Sequence, residues 1–213
     1  MKKQVILFLS LVLYVSCSPK NNEANTSTAQ LLPIPESKKI LFLDVHNLGA
    51  GKVKFEGVAD AHQKDLATEG KYDVNFIKYW VDEGEGKVYC LVEAKDSASV
   101  AQTHKEAHGL LPDLVRQVSD GTLAAIKDKS RLYFDVHHLG AGKVKAAGVA
   151  EAHQKDLAVQ GKYNVNFINY WVDEKLGVVM CLAESPDAKS MISVHREAHG
   201  LIPDEVHKVQ QGE

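Results

Sequence analysis

Read along the chain, apolar and polar positions change period several times, and each change marks an element. Leu41-Phe42-Leu43-Asp44-Val45-His46 alternates at period two and predicts a strand ended by Leu48-Gly49-Ala50-Gly51. Val58, Ala61, His62 and Leu66 recur at helical spacing, which predicts a helix over Phe55–Glu69 closed by Gly70. Val74–Val81 and Val88–Ala94 are rich in β-branched and aromatic residues and flank the turn Asp82–Gly86, so they read as a hairpin. A second helix follows over Asp96–His108, with Val100, Thr103, His104 and Ala107 on one face and Gly109 and Pro112 as its stop. Leu114–Val118 is the last strand.

The whole pattern then occurs again. Leu41–Val118 aligns with Leu132–Val209 without a gap and with most positions identical, the mark of a tandem duplication. The order βαββαβ in each copy is the ferredoxin-like arrangement, an α+β fold whose antiparallel sheet carries both helices on one face. Strand residues are nonetheless apolar on both sides, with Leu41, Leu43 and Val45 against Phe42, and Ile77 and Tyr79 against Phe76 and Trp80. The bare sheet face must be covered. Two such sheets packed face to face as a pseudo-dimer, or a homo-oligomer of the chain, would cover it. Expected boundaries are a repeat over 40–119, a linker over 120–130 and a second repeat over 131–211.

Upstream of the repeats, Lys2-Lys3 and the apolar run Val5–Val15 read as a secretory leader; the run is shorter than the roughly 20 residues that cross a bilayer. Ser16-Cys17 closes the run as in a bacterial lipoprotein signal, although Tyr14 stands where such signals usually have Leu. The expectation is a leader over 1–17, lipidation at Cys17, a flexible tether over 18–39, and a lipid-anchored protein of the bacterial cell envelope facing periplasm or exterior. With 25 basic and 28 acidic side chains the net charge is −3, which argues against nucleic acid as a partner.

All ten histidines fall in the repeats, and eight form matched pairs: His46/His137, His62/His153, His104/His195 and His108/His199. In the second helix His104 and His108, repeated as His195 and His199, stand four residues apart, so both imidazoles of a pair can reach one metal ion. Glu106 falls on the wrong side of the helix for the zinc-protease pattern His-Glu-x-x-His, so a metalloprotease is rejected. His62 lies on the apolar stripe of the first helix and can face His104 across the helix pair; alternatively both are edge-of-core histidines bonded to backbone. Asp44 and His46 share a strand face. If Leu43 and Val45 pack on the helices, that face looks into the sheet-to-sheet interior, where Glu93 would also point. Asp44, Asp135, Glu93 and Glu184 are then candidates for a metal's outer shell or for acid-base work. Gly49-Ala50-Gly51-Lys52 lacks the spacing of a phosphate loop and reads as a turn. Cys90 and Cys181 alternate with valines and read as buried thiols.

The segments Asp44–His46, Ala61–Leu66, Tyr79–Asp82, Cys90–Glu93 and His104–Leu110 together resemble a family of short bacterial nickel-binding proteins with a ferredoxin-like domain of formerly unknown function. The resemblance implies a nickel-binding module serving sequestration or detoxification, with the family's dimer built here into one chain. The candidate metal ligands, His46, His62, His104 and His108 with their partners His137, His153, His195 and His199, are chosen on chemistry, and nickel is preferred on the resemblance alone, because imidazole serves nickel, copper and zinc alike. The competing class is an enzyme whose paired sheets enclose a cavity, with Asp44, His46 and Glu93 as acid-base groups; a metal-free interaction module is a third reading.

Overall fold

The computed structural model describes residues 39–121 and 123–213; the leader, the lipidation site at Cys17 and nearly all of the tether lie outside them. The first copy runs β1 (Ile40–Asn47), α1 (Phe55–Thr68), β2 (Asn75–Asp82), β3 (Lys87–Ala94), α2 (Ser97–Ala107), β4 (Leu114–Gln117) and β5 (Ser119–Asp120). The second runs β6 (Leu132–His138), α3 (Ala146–Val159), β7 (Asn166–Asp173), β8 (Val178–Glu184), α4 (Ala188–Ala198), β9 (Glu205–Lys208) and β10 (Gln210–Gly212). The Asp96 carboxylate accepts the Ser99 N–H at 2.8 Å, and this cap sets where α2 begins. Gly70 does not close α1: the helix passes into a 3-10 turn over Glu69–Tyr72, and Asp73, at φ 56°, takes the left-handed position. Asn164 does the same in the second copy; both residue types tolerate that conformation.

Each sheet has five antiparallel strands, in the orders β10-β2-β3-β1-β4 and β5-β7-β8-β6-β9. The predicted arrangement had four, and the fifth is exchanged between copies. After β4 the chain crosses to the opposite sheet, where Ser119–Asp120 pairs with β7; after β9 the chain end returns the exchange, Gln210–Gly212 pairing with β2. Gly121 and Gly212 permit this crossing, because a Cβ at either would lie 2.4 or 2.1 Å from the ring of Tyr170 or Tyr79.

The sheets pack face to face over a shared core that includes Leu43, Val45, Trp80, Tyr89 and Leu91 from the first copy and Phe134, Val136, Trp171 and Met180 from the second. The Trp80 and Trp171 rings lie 5.0 Å apart, and Tyr89 stacks on Phe134 at 4.5 Å. Each such side chain contributes about 1.5–3 kcal/mol on burial. Polar groups line the seam. His207 Nδ1 is 2.9 Å from Asp82 and Arg116 is 3.6 Å from Asp173, so the same position carries a His–Asp pair on one side and an Arg–Asp pair on the other.

Two expectations about strand faces are corrected. Leu43 and Val45 line the inter-sheet core while Phe42 packs under the helices, so the condition that would turn Asp44 and His46 into the sheet interior is not met. They face the helices. On β2 the register shifts between Phe76 and Lys78, a bulge at Ile77 that its repeat shares between Phe167 and Asn169. One extra residue reverses the alternation, so Phe76 and Tyr79 pack together under the helices while Ile77 and Trp80 turn to the other sheet.

Candidate metal centre

The inward turn of Asp44 brings β1, α1 and α2 to one point in the first copy. His104, on the buried face of α2, lies between two carboxylates: its Nε2 is 3.1 Å from Asp44 Oδ2 and its Nδ1 is 3.0 Å from Asp65 Oδ1. His108, one turn further on, sets its Nε2 3.1 Å from His104 Nδ1 and 3.2 Å from Asp65. The Leu110 N–H donates to His108 Nδ1 at 3.2 Å and holds that ring in place. The second copy repeats the arrangement. His195 Nδ1 is 3.1 Å from Asp156 and 3.3 Å from His199 Nε2, and His195 Nε2 is 2.8 Å from Asp135. The rings are seated by aromatic neighbours: Phe76 and His104 centroids are 5.0 Å apart, and Phe167 and His195 5.1 Å. The bulge at Ile77 is what delivers Phe76 and Tyr79 to this side.

These groups are buried, with Asp44 at 0 %, Asp65 at 3 % and His104 at 1 % exposure. Burial alone would push the His104 imidazole down, but the two carboxylates outweigh it and raise it to about 9; His195 is raised to about 10 in the same way. Burial opposes ionisation of Asp44 as well, yet the hydrogen bond from His104 and the nearby His46 ring lower it to about 2. Each copy thus sets an imidazole ring between two carboxylates, which favour its protonated form, and not against backbone.

Two overlapping donor groups occur in each copy. Asp65, His104 and His108 form the first, matched by Asp156, His195 and His199; Asp44, His46 and His104 form the second, matched by Asp135, His137 and His195 with Cys181. The first is the tighter, with mutual separations of 3.0–3.2 Å. Adjacent ligands on an ion with bonds of about 2.1 Å stand about 3.0–3.4 Å apart, so that triangle fits a first-row divalent ion. In the second group His46 Nε2 is 3.4 Å from Asp44 Oδ1, and that oxygen, like Asp135 Oδ1, is buried without a hydrogen-bond partner. A neutral His104 has one lone pair, so it can serve only one group at a time, its other N–H going to a carboxylate.

The remaining candidates are placed elsewhere. His62 and His153 line the adjoining pockets, their rings 4.7 Å from Tyr79 and Tyr170, and join neither donor group. Glu93 accepts from Asn75 Nδ2 at 3.1 Å, and Glu184 from Asn166 Nδ2 at 2.9 Å and from the 127–128 backbone, on the face away from Asp44. Cys90 and Cys181 are buried and unpaired, and burial holds both thiols well above their usual range. Asp65 and Asp156 were not singled out from sequence. The available signal was an acidic residue one position before Leu66 on the apolar stripe of a helix, kept in both copies.

A family model described as nickel responsive protein SCO4226-like matches residues 42–118 and 133–209. The crystal structure of SCO4226 from Streptomyces coelicolor A3(2) is similar at 38 % identity and a TM-score of 0.34, covering 36 % of this chain and 93 % of that one. An anthrone oxidase-like protein, at 10 % identity, covers 83 % of this chain and 91 % of its own with a TM-score of 0.44. A variant chlorite dismutase from Candidatus Nitrospira defluvii covers the same shares at 6 % identity and a TM-score of 0.43. Among curated proteins none is similar in sequence. The family segments coincide with the two halves that each carry an Asp-His-His triangle, and this chain therefore belongs to the SCO4226-like nickel responsive protein family, as two copies in tandem.

Proposed function

We propose that the protein binds two divalent transition-metal ions, nickel in the first instance, one in each copy. The ligands are Asp65, His104 Nδ1 and His108 Nε2 in the first copy and Asp156, His195 Nδ1 and His199 Nε2 in the second. Asp44 and Asp135 accept the Nε2–H of His104 and His195, fixing the tautomer that leaves Nδ1 free for the ion. The observation that carries the reading is the closed triangle of three donors, reproduced in both copies at nearly equal separations. Nitrogen and oxygen donors suit nickel, and the family's description favours it over zinc or copper.

A second reading places the ion among Asp44, His46 and His104, and the unpartnered Asp44 Oδ1 favours it. Nickel titration of two double variants separates the readings. His108→Gln with His199→Gln is expected to weaken nickel binding by at least about tenfold, while His46→Gln with His137→Gln changes it little. The reverse order would move the ion to the second group.

The role we assign is sequestration of metal outside the cytoplasm, by a protein exported and lipid-anchored at Cys17. Incorporation of labelled fatty acid into the wild type but not into Cys17→Ala tests the anchor; equal labelling of both would refute it.

A further inference from the structure

Beside each triangle lies a pocket between helix and sheet, of about 240 Å³ in the first copy and about 190 Å³ in the second. Asp65, His104 and His108 form its polar end, and much of the remaining wall is apolar, with Val58, Tyr79 and Val88 in the first copy and Val149, Tyr170 and Val179 in the second. An apolar cavity of about 150 Å³ holds benzene, so these spaces take a ring-sized body. His62, 3 % exposed, lines the first pocket, and its Nε2 is buried without a partner. Lys52 and Lys143 line the two pockets, folded back over Gly49 and Gly140 in the Gly-Ala-Gly-Lys turn. Among the described residues neither ammonium has an ion-pair partner, whereas the neighbouring Lys54 is bound to Glu83 at 2.8 Å. With neutral imidazoles, Asp44, Asp65 and a divalent ion sum to zero charge. Lys52 leaves one positive charge over.

We infer that each pocket binds a small organic monocarboxylate together with the metal, its apolar body against Val58, Tyr79 and Val88 and its charge balanced by the Lys52 ammonium. The inference rests on the metal-binding reading and deepens it. Three protein donors leave coordination positions open, and the carboxylate fills one, while His62 supplies a hydrogen-bonding edge beside the bound molecule. In the second copy Lys143 and His153 take the same parts.

Benzoate is the probe, titrated calorimetrically into the full chain after loading with nickel, with the nickel absorption spectrum followed in parallel. Two sites are expected, at least tenfold weaker in the metal-free chain. Ala61→Leu with Ala152→Leu adds apolar bulk to a wall of each pocket at a position that is not itself a donor to the metal, and Lys52→Met with Lys143→Met removes the mouth charge. Each is expected to weaken benzoate at least tenfold while the nickel stoichiometry and the melting curve stay as in the wild type. A chain that holds nickel but not benzoate, or variants that bind benzoate as the wild type does, would overturn the pocket ligand and leave the metal site standing. A wild type that takes no nickel would remove both.

Discussion

At the scale of single residues, the question is what holds an imidazolium at 1 % exposure. The answer is the carboxylate on either side of His104, and the pH behaviour follows from it. His104 is raised to about 9 in the folded chain from an ordinary value of 6.5, so the stability it contributes is present in full below 6.5 and is lost as pH rises through 9. Asp44 is lowered to about 2, so its contribution is present above 3.8 and is lost as pH falls toward 2. His62 and His153, depressed by burial, act against stability once pH drops below 6.5. The metal-free chain is therefore expected to melt at steadily lower temperature from pH 7 to pH 9.5. On the proposed ligation nickel displaces the Nδ1 proton of His104, so its affinity is expected to move the other way, rising about tenfold per pH unit for each proton released until pH 9. Calorimetric melting with and without nickel across that range checks both signs. An affinity that levels off above pH 7 would mean that an unperturbed histidine is the ligand instead.

At the scale of elements, most of each repeat was legible in the sequence. Period-two and period-3.6 runs locate the strands and helices to within a residue or two, because burial on one face imposes those periods. The faces were harder to read. A bulge at Ile77 adds one residue to β2 without interrupting its apolar run, so alternation counted from Phe76 assigns Tyr79 and Trp80 to the wrong sides. Packing Leu43 and Val45 on the helices would turn Asp44 away from α2, and that assignment hid the meeting of Asp44 with His104. Asp65 was hidden for another reason: within a helix, an acidic residue beside a leucine reads as surface until the partner helix is in place. The exchanged strands were hidden because β5 and β10 are only 2 and 3 residues long and carry no hydrophobic period. Their visible trace is the pair of glycines at 121 and 212. Replacing Gly212 by Val is expected to unseat β10 from β2, since the Tyr79 ring occupies that space. Faster amide exchange confined to the outer edge of β2, with a drop of about 1–3 kcal/mol in denaturant stability, is the expected result.

At the scale of the whole molecule, duplication turns a two-chain problem into a one-chain one. Trp80, Tyr89 and Leu91 of one copy are buried by Phe134, Trp171 and Met180 of the other, and each sheet borrows its fifth strand. A single copy, residues 39–121 or 131–213, would expose that core and lack an edge strand. Sedimentation of either half is expected to show self-association, and a stable monomer at high concentration would contradict the packing. Neither Asp-His-His triangle takes a group from the other copy, so on the proposed reading the two sites bind independently. The most direct test of the metal account is therefore equilibrium nickel binding to the untagged chain, read with metal analysis and proton release on one sample. Two ions per chain, each displacing close to one proton at pH 7.5 and both weakened at least tenfold by His108→Gln with His199→Gln, is the predicted result. Absence of nickel binding, or binding unchanged in that variant, would contradict it.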